Sequence, residues 1–480
     1  MKGKVKKFLA ASALALLCAL RCAAASAADG DVPLAAAYED ESGSRVALPE
    51  GAFVRSGALW APLDALRLMG APAALGENKK SAVIKVENPA DAFDIPALAQ
   101  LAGGALSLDF PLIRVGEAYF FNMTGMQNLV KLDYRIESGS VIFTPNASAK
   151  AYLRGGAAKP EPKDGKLTLV WEHVAAENPD LGAQAPIPGL DVISPTWFNL
   201  KDAGGGMANR ASFAYVEAAH RRGYLVWALV SNSFNARMSS SFFRNARAMN
   251  LFIARLLIYA KLYGLDGVNL DFEGLDEADR ANFVGFVSRL SEFLRTEGLT
   301  FSVDVFIPAN TKSSRSHDRA ALAKYADYIM LMAYDEHWRT CKVAGSVASL
   351  PWVARAVEGA LAEGVPAEKL VLGVPFYMRR WEETRGPGGV SVKGYTLTMA
   401  GAEEILARRG LTMQWLPSAG QNYFAYSADG KVQKIWVEDA ASIAKKLELV
   451  QKHGLAGMAA WRKGHEKPQV WDVISEMMGK

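Results

Sequence analysis

Cysteine is nearly missing from this 480-residue chain: there are three, and Cys18 and Cys22 both fall in an apolar N-terminal stretch. Without that stretch only Cys341 remains, so no internal disulfide is expected. Histidine is also scarce. The six histidines, from His173 to His465, are dispersed with no His-Glu-x-x-His spacing, so no metal is expected. No Lys/Arg run breaks the even charge mixture, and a net charge of +4 gives no reason to expect a nucleic-acid groove. No glycine-rich phosphate loop opens a helix; Gly204-Gly205-Gly206 reads as a loop. A Gly-x-Ser-x-Gly nucleophile elbow is absent too. No cofactor is expected.

What the N-terminus does contain is a basic start (Lys2, Lys4, Lys6, Lys7), an apolar run over 8–20 and small residues over 23–28. That apolar run is short for a membrane span, and the order of the three parts reads as a secretory signal cleaved after Ala27 or Ala28. An uncleaved anchor is the alternative. Neither cysteine follows the small residue that a lipoprotein signal requires. A large exported protein lacking disulfides depends on its core, which suits a secreted or cell-envelope protein of bacterial type.

Half of the residues are hydrophobic, as in soluble globular proteins, and the length calls for two or three domains. Residues 29–150 read as short strands with turns, and they repeat. Val54-Arg55-Ser56-Gly57-Ala58-Leu59-Trp60 is echoed by Ile113-Arg114-Val115-Gly116-Glu117-Ala118-Tyr119, and Ser81-Ala82-Val83-Ile84 by Ser140-Val141-Ile142. Short helices are expected over 63–69 and 123–129. A Gly/Pro-rich, charged linker follows over 151–165.

From residue 166 the pattern turns to apolar runs alternating with amphipathic helices, the mark of a parallel α/β fold. Eight runs qualify as strands: 167–173, 192–198, 225–232, 267–273, 300–307, 328–334, 370–377 and 456–461. Helices are expected over 209–222, 244–263, 276–297 and 350–363. The predicted architecture is therefore a (β/α)8 TIM barrel over 166–480, carrying a small α+β insertion over 378–434 between strands seven and eight. The smaller α+β repeat region precedes it.

The fourth run contains the chemistry. Side chains of a strand alternate between faces, so Asn269, Asp271 and Glu273 share one, and in a barrel Glu273 lies nearest the C-terminal rim. Two carboxyls and an amide on one interior face must share protons or hydrogen bonds. One such arrangement keeps a protonated acid beside an ionised one. The other is a satisfied polar layer inside the barrel.

Asp266-Gly267-Val268-Asn269-Leu270-Asp271-Phe272-Glu273 resembles the Asp-x-x-Asp-x-Asp-x-Glu motif of glycoside hydrolase family 18, with Asn269 in place of the second Asp and Phe272 where many chitinases have Trp. The variant is similar to the branch of spore-cortex and peptidoglycan N-acetylglucosaminidases, and the resemblance spans nearly all of 166–480. It implies that Glu273 is general acid and base, that the N-acetyl oxygen of the substrate is the nucleophile, and that Asp271 orients the acetamido group and stabilises the oxazolinium ion. Asn269 is expected to hydrogen-bond Asp271 without accepting a proton. Asp266, at an odd spacing, is expected at the strand start in a structural role.

Ile329-Met330-Leu331-Met332-Ala333-Tyr334-Asp335 resembles the sixth-strand motif of the same family. Met332 and Tyr334 share a face; Tyr334 is expected against the acetamido carbonyl, and Asp335 on sugar hydroxyls. Trp461 matches the eighth-strand Trp that floors the sugar site, where an indole face can stack on a pyranose ring. Trp171, Trp197 and Tyr377, near other strand ends, are candidates for the same cleft. Asn232 and Glu438 are candidate hydrogen-bonding partners. The N-terminal units resemble the copper amine oxidase N-terminal-like module, best through Trp60-Ala61-Pro62-Leu63-Asp64-Ala65-Leu66 and Val83-Ile84-Lys85-Val86. Copper favours imidazole, and no His precedes His173, so a spacer or wall-contact role is expected instead.

The expected activity is retaining, substrate-assisted hydrolysis of β-N-acetylglucosaminyl bonds in a GlcNAc-containing polymer. Peptidoglycan is favoured and chitin is the alternative. A silent sugar-binding lectin on the same barrel is the rival of another class, opposed by the presence of both Asp271 and Glu273. The chain is expected to act as a monomer.

Overall fold

The computed structural model describes residues 31–77, 79, 81–146, 159–161, 164–387 and 389–480. The signal-like segment and most of the expected linker lie outside the described residues.

Hydrophobic alternation builds two nine-stranded sheets. In the first, Val32–Glu39 pairs antiparallel with Arg45–Arg55 and parallel with Ser140–Pro145, at the other end of the region. Two hairpins of equivalent sequence, Arg45–Arg55 with Ala58–Pro62 and Leu106–Val115 with Ala118–Asn122, turn at Gly57 and Gly116. Both glycines have positive φ, 74° and 60°, which a side chain rarely adopts. The hairpins then pair with each other, Trp60 opposite Asn122 and Ala61 opposite Phe121. Each is followed by a short helix, Leu63–Leu68 and Gln127–Val130.

The second sheet is a closed parallel barrel. Its strands are β1 (Leu167–Glu172), β2 (Val192–Leu200), β3 (Leu225–Ser231), β4 (Gly267–Asp271), β5 (Thr300–Phe306), β6 (Tyr328–Met332), β7 (Leu370–Pro375) and β8 (Gly457–Trp461). Each pairs in parallel with the next, and β8 closes the ring on β1, Leu169 opposite Ala459. The predicted TIM barrel is thus present. Its helices start where polar caps dictate. The helix expected over 244–263 begins at Ala246 because the Asn245 side chain accepts from the Ala248 N–H, and it ends at Gly264 with φ 70°. A separate helix, Ala236–Phe243, precedes it under an Asn235 cap.

Between β7 and β8 a five-stranded antiparallel sheet spans Tyr377–Gly386 to Lys431–Val437, with helix Met399–Arg409 beside it. The N-terminal sheet is seated on the barrel helix Ala246–Tyr263. The Tyr259 hydroxyl accepts from the Asp109 N–H at 2.8 Å and donates to its carbonyl at 2.9 Å, while Phe110 meets the Tyr259 ring edge-on at 5.9 Å. Asn209 adds a bond to the same carbonyl at 3.0 Å. Backbone groups of one region satisfied by side chains of the other give a specific interface as well as an apolar one.

At the N-terminal end of β4, Asp266 is buried against His220 Nε2 at 2.7 Å and accepts from the Val226 N–H at 2.8 Å. Its place at the strand start ties β4 to β3.

Candidate active site

The carboxyl-terminal ends of the barrel strands surround a cavity of about 630 Å³ lined by Asp271, Glu273, Asp304, Tyr334, Asp335, Tyr377, Trp171 and Trp461. The strand alternation explains who reaches it. Phe272 points the other way, stacking on Phe283 and Phe286 under the barrel helices. Asn269 and Asp271 point inward. Glu273 lies just past the end of β4, and its backbone is fixed there by one side chain. Asn232 donates to the Glu273 carbonyl at 2.7 Å and accepts from its N–H at 3.0 Å, and Ser239 accepts from Asn232 at 2.9 Å.

Burial dominates the electrostatics. It raises the Glu273 carboxyl to about 7, opposed by a hydrogen bond with Asp271 and reinforced by the charge of Asp335. Asp271 is pushed well above the carboxylate range by burial, then by the charges of Glu273 and Asp304. Asp304 on β5 is raised well above it too, again chiefly by burial. Carboxyls this close in a dry site cannot all ionise, so the group retains at least one proton at neutral pH. Among the described residues Asp271 Oδ1 is buried with no hydrogen-bond partner. An acceptor left bare beside a protonated acid is suited to a donor brought by a ligand.

The aromatic wall is similarly fixed. The Trp171 indole donates to Asn269 Oδ1 at 2.7 Å and meets Trp461 at 6.3 Å and the edge of Tyr334 at 6.4 Å. Tyr334, half-buried beside these carboxyls, has its hydroxyl raised well above its usual value, first by loss of solvent around it. Asp335, at φ 61°, accepts from the Tyr377 hydroxyl at 2.6 Å and from Arg379 at 2.9 Å. Met332 completes the wall on the β6 side.

Four expected site residues lie elsewhere. Asn269 is fully buried beneath the floor, and it does not bond Asp271. Its amide donates to Ser302 at 3.0 Å and Asp304 at 2.7 Å, because the Trp171 indole already claims its oxygen. Asn232 is turned to the Glu273 backbone and is fully buried. Trp197 falls between Thr196 and Phe198, which line the cavity, so its own indole points to the other face and donates to Asn178 at 2.6 Å. Glu438, just past the last strand of the insertion, is sealed between that sheet and the helix Ala440–Lys452, bonded by Lys446 at 2.9 Å, Gln421 at 2.7 Å and Ser442 at 2.8 Å. That pair is fully buried on both sides. Lys446→Met is expected to destabilise the fold by about 3–5 kcal/mol, because it strands a buried carboxylate. Adding Glu438→Gln should recover most of the loss in a urea titration; independent, additive losses would contradict the pairing.

Asp304 was missed from the sequence. Its signal was a carboxylate within the apolar β5 segment Thr300–Phe306, on the face shared with Ser302 and Phe306. Its proximity to Asn269 is a product of the β4–β5 register, which sets Asn269 opposite Ser302.

The family model described as glycosyl hydrolases family 18 matches residues 215–465, more than half of the chain. The chain belongs to glycosyl hydrolases family 18. It is 26% identical over 272 residues to glycosylase YvbX of Bacillus subtilis, covering 53% of this chain and 76% of that protein. Against the cortical fragment-lytic enzyme of Bacillus anthracis it is 25% identical, covering 51% of this chain and 57% of that one. The chain therefore spans little more than half the length of that enzyme. Among solved structures, the spore cortex-lytic enzyme SleL of Bacillus megaterium matches with a TM-score of 0.59 at 19% identity, covering 85% of this chain and 98% of that one. A chitinase from Chromobacterium violaceum matches with a TM-score of 0.57 at 24% identity, over 66% of this chain and 99% of that chain. These two likenesses show the barrel fold.

Proposed function

We propose that this family 18 protein hydrolyses β-N-acetylglucosaminyl bonds of peptidoglycan with retention at the anomeric carbon. The observation that carries the reading is the protonated-range carboxyl of Glu273 beside the unpartnered Asp271 Oδ1 in an aromatic cavity. Glu273 donates its proton to the glycosidic oxygen as the C1–O bond breaks. The acetamido oxygen of the same sugar attacks C1, and Asp271 accepts from the acetamido N–H and offsets the positive oxazolinium charge. Tyr334 donates to the acetamido oxygen and holds it in line. Glu273, now ionised, takes a proton from water, whose oxygen attacks C1 and reopens the ring. Trp461 and Trp171 supply the apolar faces for the pyranose, and Asp335 binds its hydroxyls.

Peptidoglycan is preferred over chitin because of the Asn269-Leu270-Asp271-Phe272-Glu273 variant and the similarity to cortical enzymes. In this reading the signal-like N-terminus takes the chain out of the cytoplasm, the N-terminal repeats contact the wall, and the protein works as a monomer. Digestion of purified peptidoglycan and of chitin oligomers, followed by mass spectrometry of new reducing ends, tests it. GlcNAc reducing ends from wall glycan are expected. Products from chitin alone would replace peptidoglycan by chitin, and binding to both without cleavage would make the barrel a lectin.

A further inference from the structure

Arg210 lies at the meeting of two cavities. It follows the short strand Met207–Asn209 that pairs with the end of β2, and its backbone is pinned from both sides: its N–H donates to the Trp197 carbonyl at 2.9 Å, and its carbonyl accepts from Asn178 at 2.7 Å. It lines the catalytic cavity and also a second cavity of about 630 Å³ between the barrel and the N-terminal sheet. Trp60, Arg55 and Arg114 of that sheet form one wall of the second cavity, and Glu217 and Arg221 of the barrel form part of the other.

Four arginines line that cavity and three of them are paired, while Asp180 on the same lining accepts from the Ala183 N–H at 3.2 Å. Arg55 is paired with Asp31 at 2.7 Å and Glu177 at 2.9 Å, Arg114 with Glu117 at 2.9 Å, and Arg221 with Glu217 at 3.3 Å. Among the described residues Arg210 has no acidic partner, although it is only partly exposed. Its charge and that of Arg462, just past β8, act together on His173 at the mouth; burial first, then these two cations, hold that imidazole below its ordinary value. The β1, β2 and β8 side of the mouth is therefore cationic. The β4 to β6 side carries Asp271, Glu273, Asp304 and Asp335. A substrate with a carboxylate is repelled from the second side and attracted to the first.

We infer that Arg210 is a specificity residue that binds a carboxylate on the substituent of the sugar next to the cleaved GlcNAc, with the cavity under the N-terminal sheet holding the rest of that substituent. The inference rests on the glycosidase reading for what occupies the catalytic cavity. Guanidinium and carboxylate make charge-assisted, often bidentate bonds, and a partly dehydrated cation at a rigid backbone position has little to lose in forming one. The substrate class is an amino-sugar polymer with acidic side arms. Two sources supply the same chemistry: the free lactyl acid of a muramyl residue, or a carboxylate of a peptide attached to it. Chitin has neither. The N-terminal sheet becomes a wall of the substrate site in addition to any spacer duty.

The test uses the full chain carrying Glu273→Gln, so that binding is read without cleavage. Titration calorimetry would compare GlcNAc–MurNAc oligomers having a free lactyl acid with their methyl esters, and muramyl-peptide oligomers ending in a carboxylate with the amidated forms. About a tenfold preference for the acid is expected in the arm that matches the natural source, shrinking as salt is raised. Adding Arg210→Gln should bring that ratio close to one, and Arg210→Lys should restore part of it, a rescue that a purely structural role would not show. No preference in either arm, or a preference unchanged by Arg210→Gln, would overturn the inference. The hydrolase reading fails separately: acid-preferring binding by the unmodified chain with no cleavage of any polymer would refute hydrolysis and leave the Arg210 site standing.

Discussion

Glu273→Gln is expected to lower turnover on wall glycan by between about a hundredfold and ten-thousandfold while affinity changes little. The amide matches the carboxyl in shape and keeps the packing against the cavity wall, but it has no proton to give to the glycosidic oxygen and cannot accept one from water. Its backbone anchors are independent of the side chain, since Asn232 grips the Glu273 N–H and carbonyl. A fall in affinity as large as the fall in turnover would mean that the residue binds substrate without acting as the acid. Unchanged turnover would remove Glu273 from the mechanism altogether.

The second large effect is on pH. With the Glu273 carboxyl at about 7, the acid form is present below that pH and is lost above it. kcat/KM on a soluble oligomer is therefore expected to fall about tenfold per pH unit above neutrality. The limb reports the coupled group of Glu273, Asp271 and Asp304 rather than one carboxyl. Stability follows the same sign. The folded carboxyl is raised from an unfolded value of 4.5, so its contribution is complete below pH 4.5 and is lost as pH rises through about 7. The ionised form is then disfavoured by up to about 3 kcal/mol. Glu273→Gln should accordingly raise the melting temperature more at pH 8 than at pH 5. An activity profile flat from pH 6 to pH 9, with equal melting shifts at both pH values, would contradict a buried, raised acid.

The shared face of Asn269, Asp271 and, just past the end of β4, Glu273 was legible because strand periodicity is local. The same rule applied to β2 should have excluded Trp197, one residue out of phase with Thr196 and Phe198. A tryptophan near a strand end drew the expectation, although the face decides. Asn232 was found in the sequence for its place at the end of β3, yet its target proved to be the main chain of Glu273. A sequence does not reveal whether an amide at a rim faces solvent or a neighbouring loop. Glu438 was misplaced for a related reason, since its partner Lys446 lies eight residues on, in the helix Ala440–Lys452, and is buried with it only when that helix packs.

Asn269 shows the division most clearly. From the motif alone it was an amide in place of the family's second Asp, expected to hydrogen-bond Asp271 without accepting a proton. In the fold it holds the Trp171 indole with its oxygen and Asp304 with its nitrogen, and the carboxyl count beneath the cavity is restored from β5. By itself the sequence indicated the barrel through eight alternating strand and helix segments, the family through its resemblance at the fourth- and sixth-strand motifs, and a shared face for Asp271 and Glu273 through strand periodicity. Tertiary structure decided which carboxyls lie beside Glu273, which amide holds its backbone in place, and where Arg210, without an acidic partner among the described residues, lies between the two cavities. Those depend on register and packing between distant segments, and no local pattern encodes them.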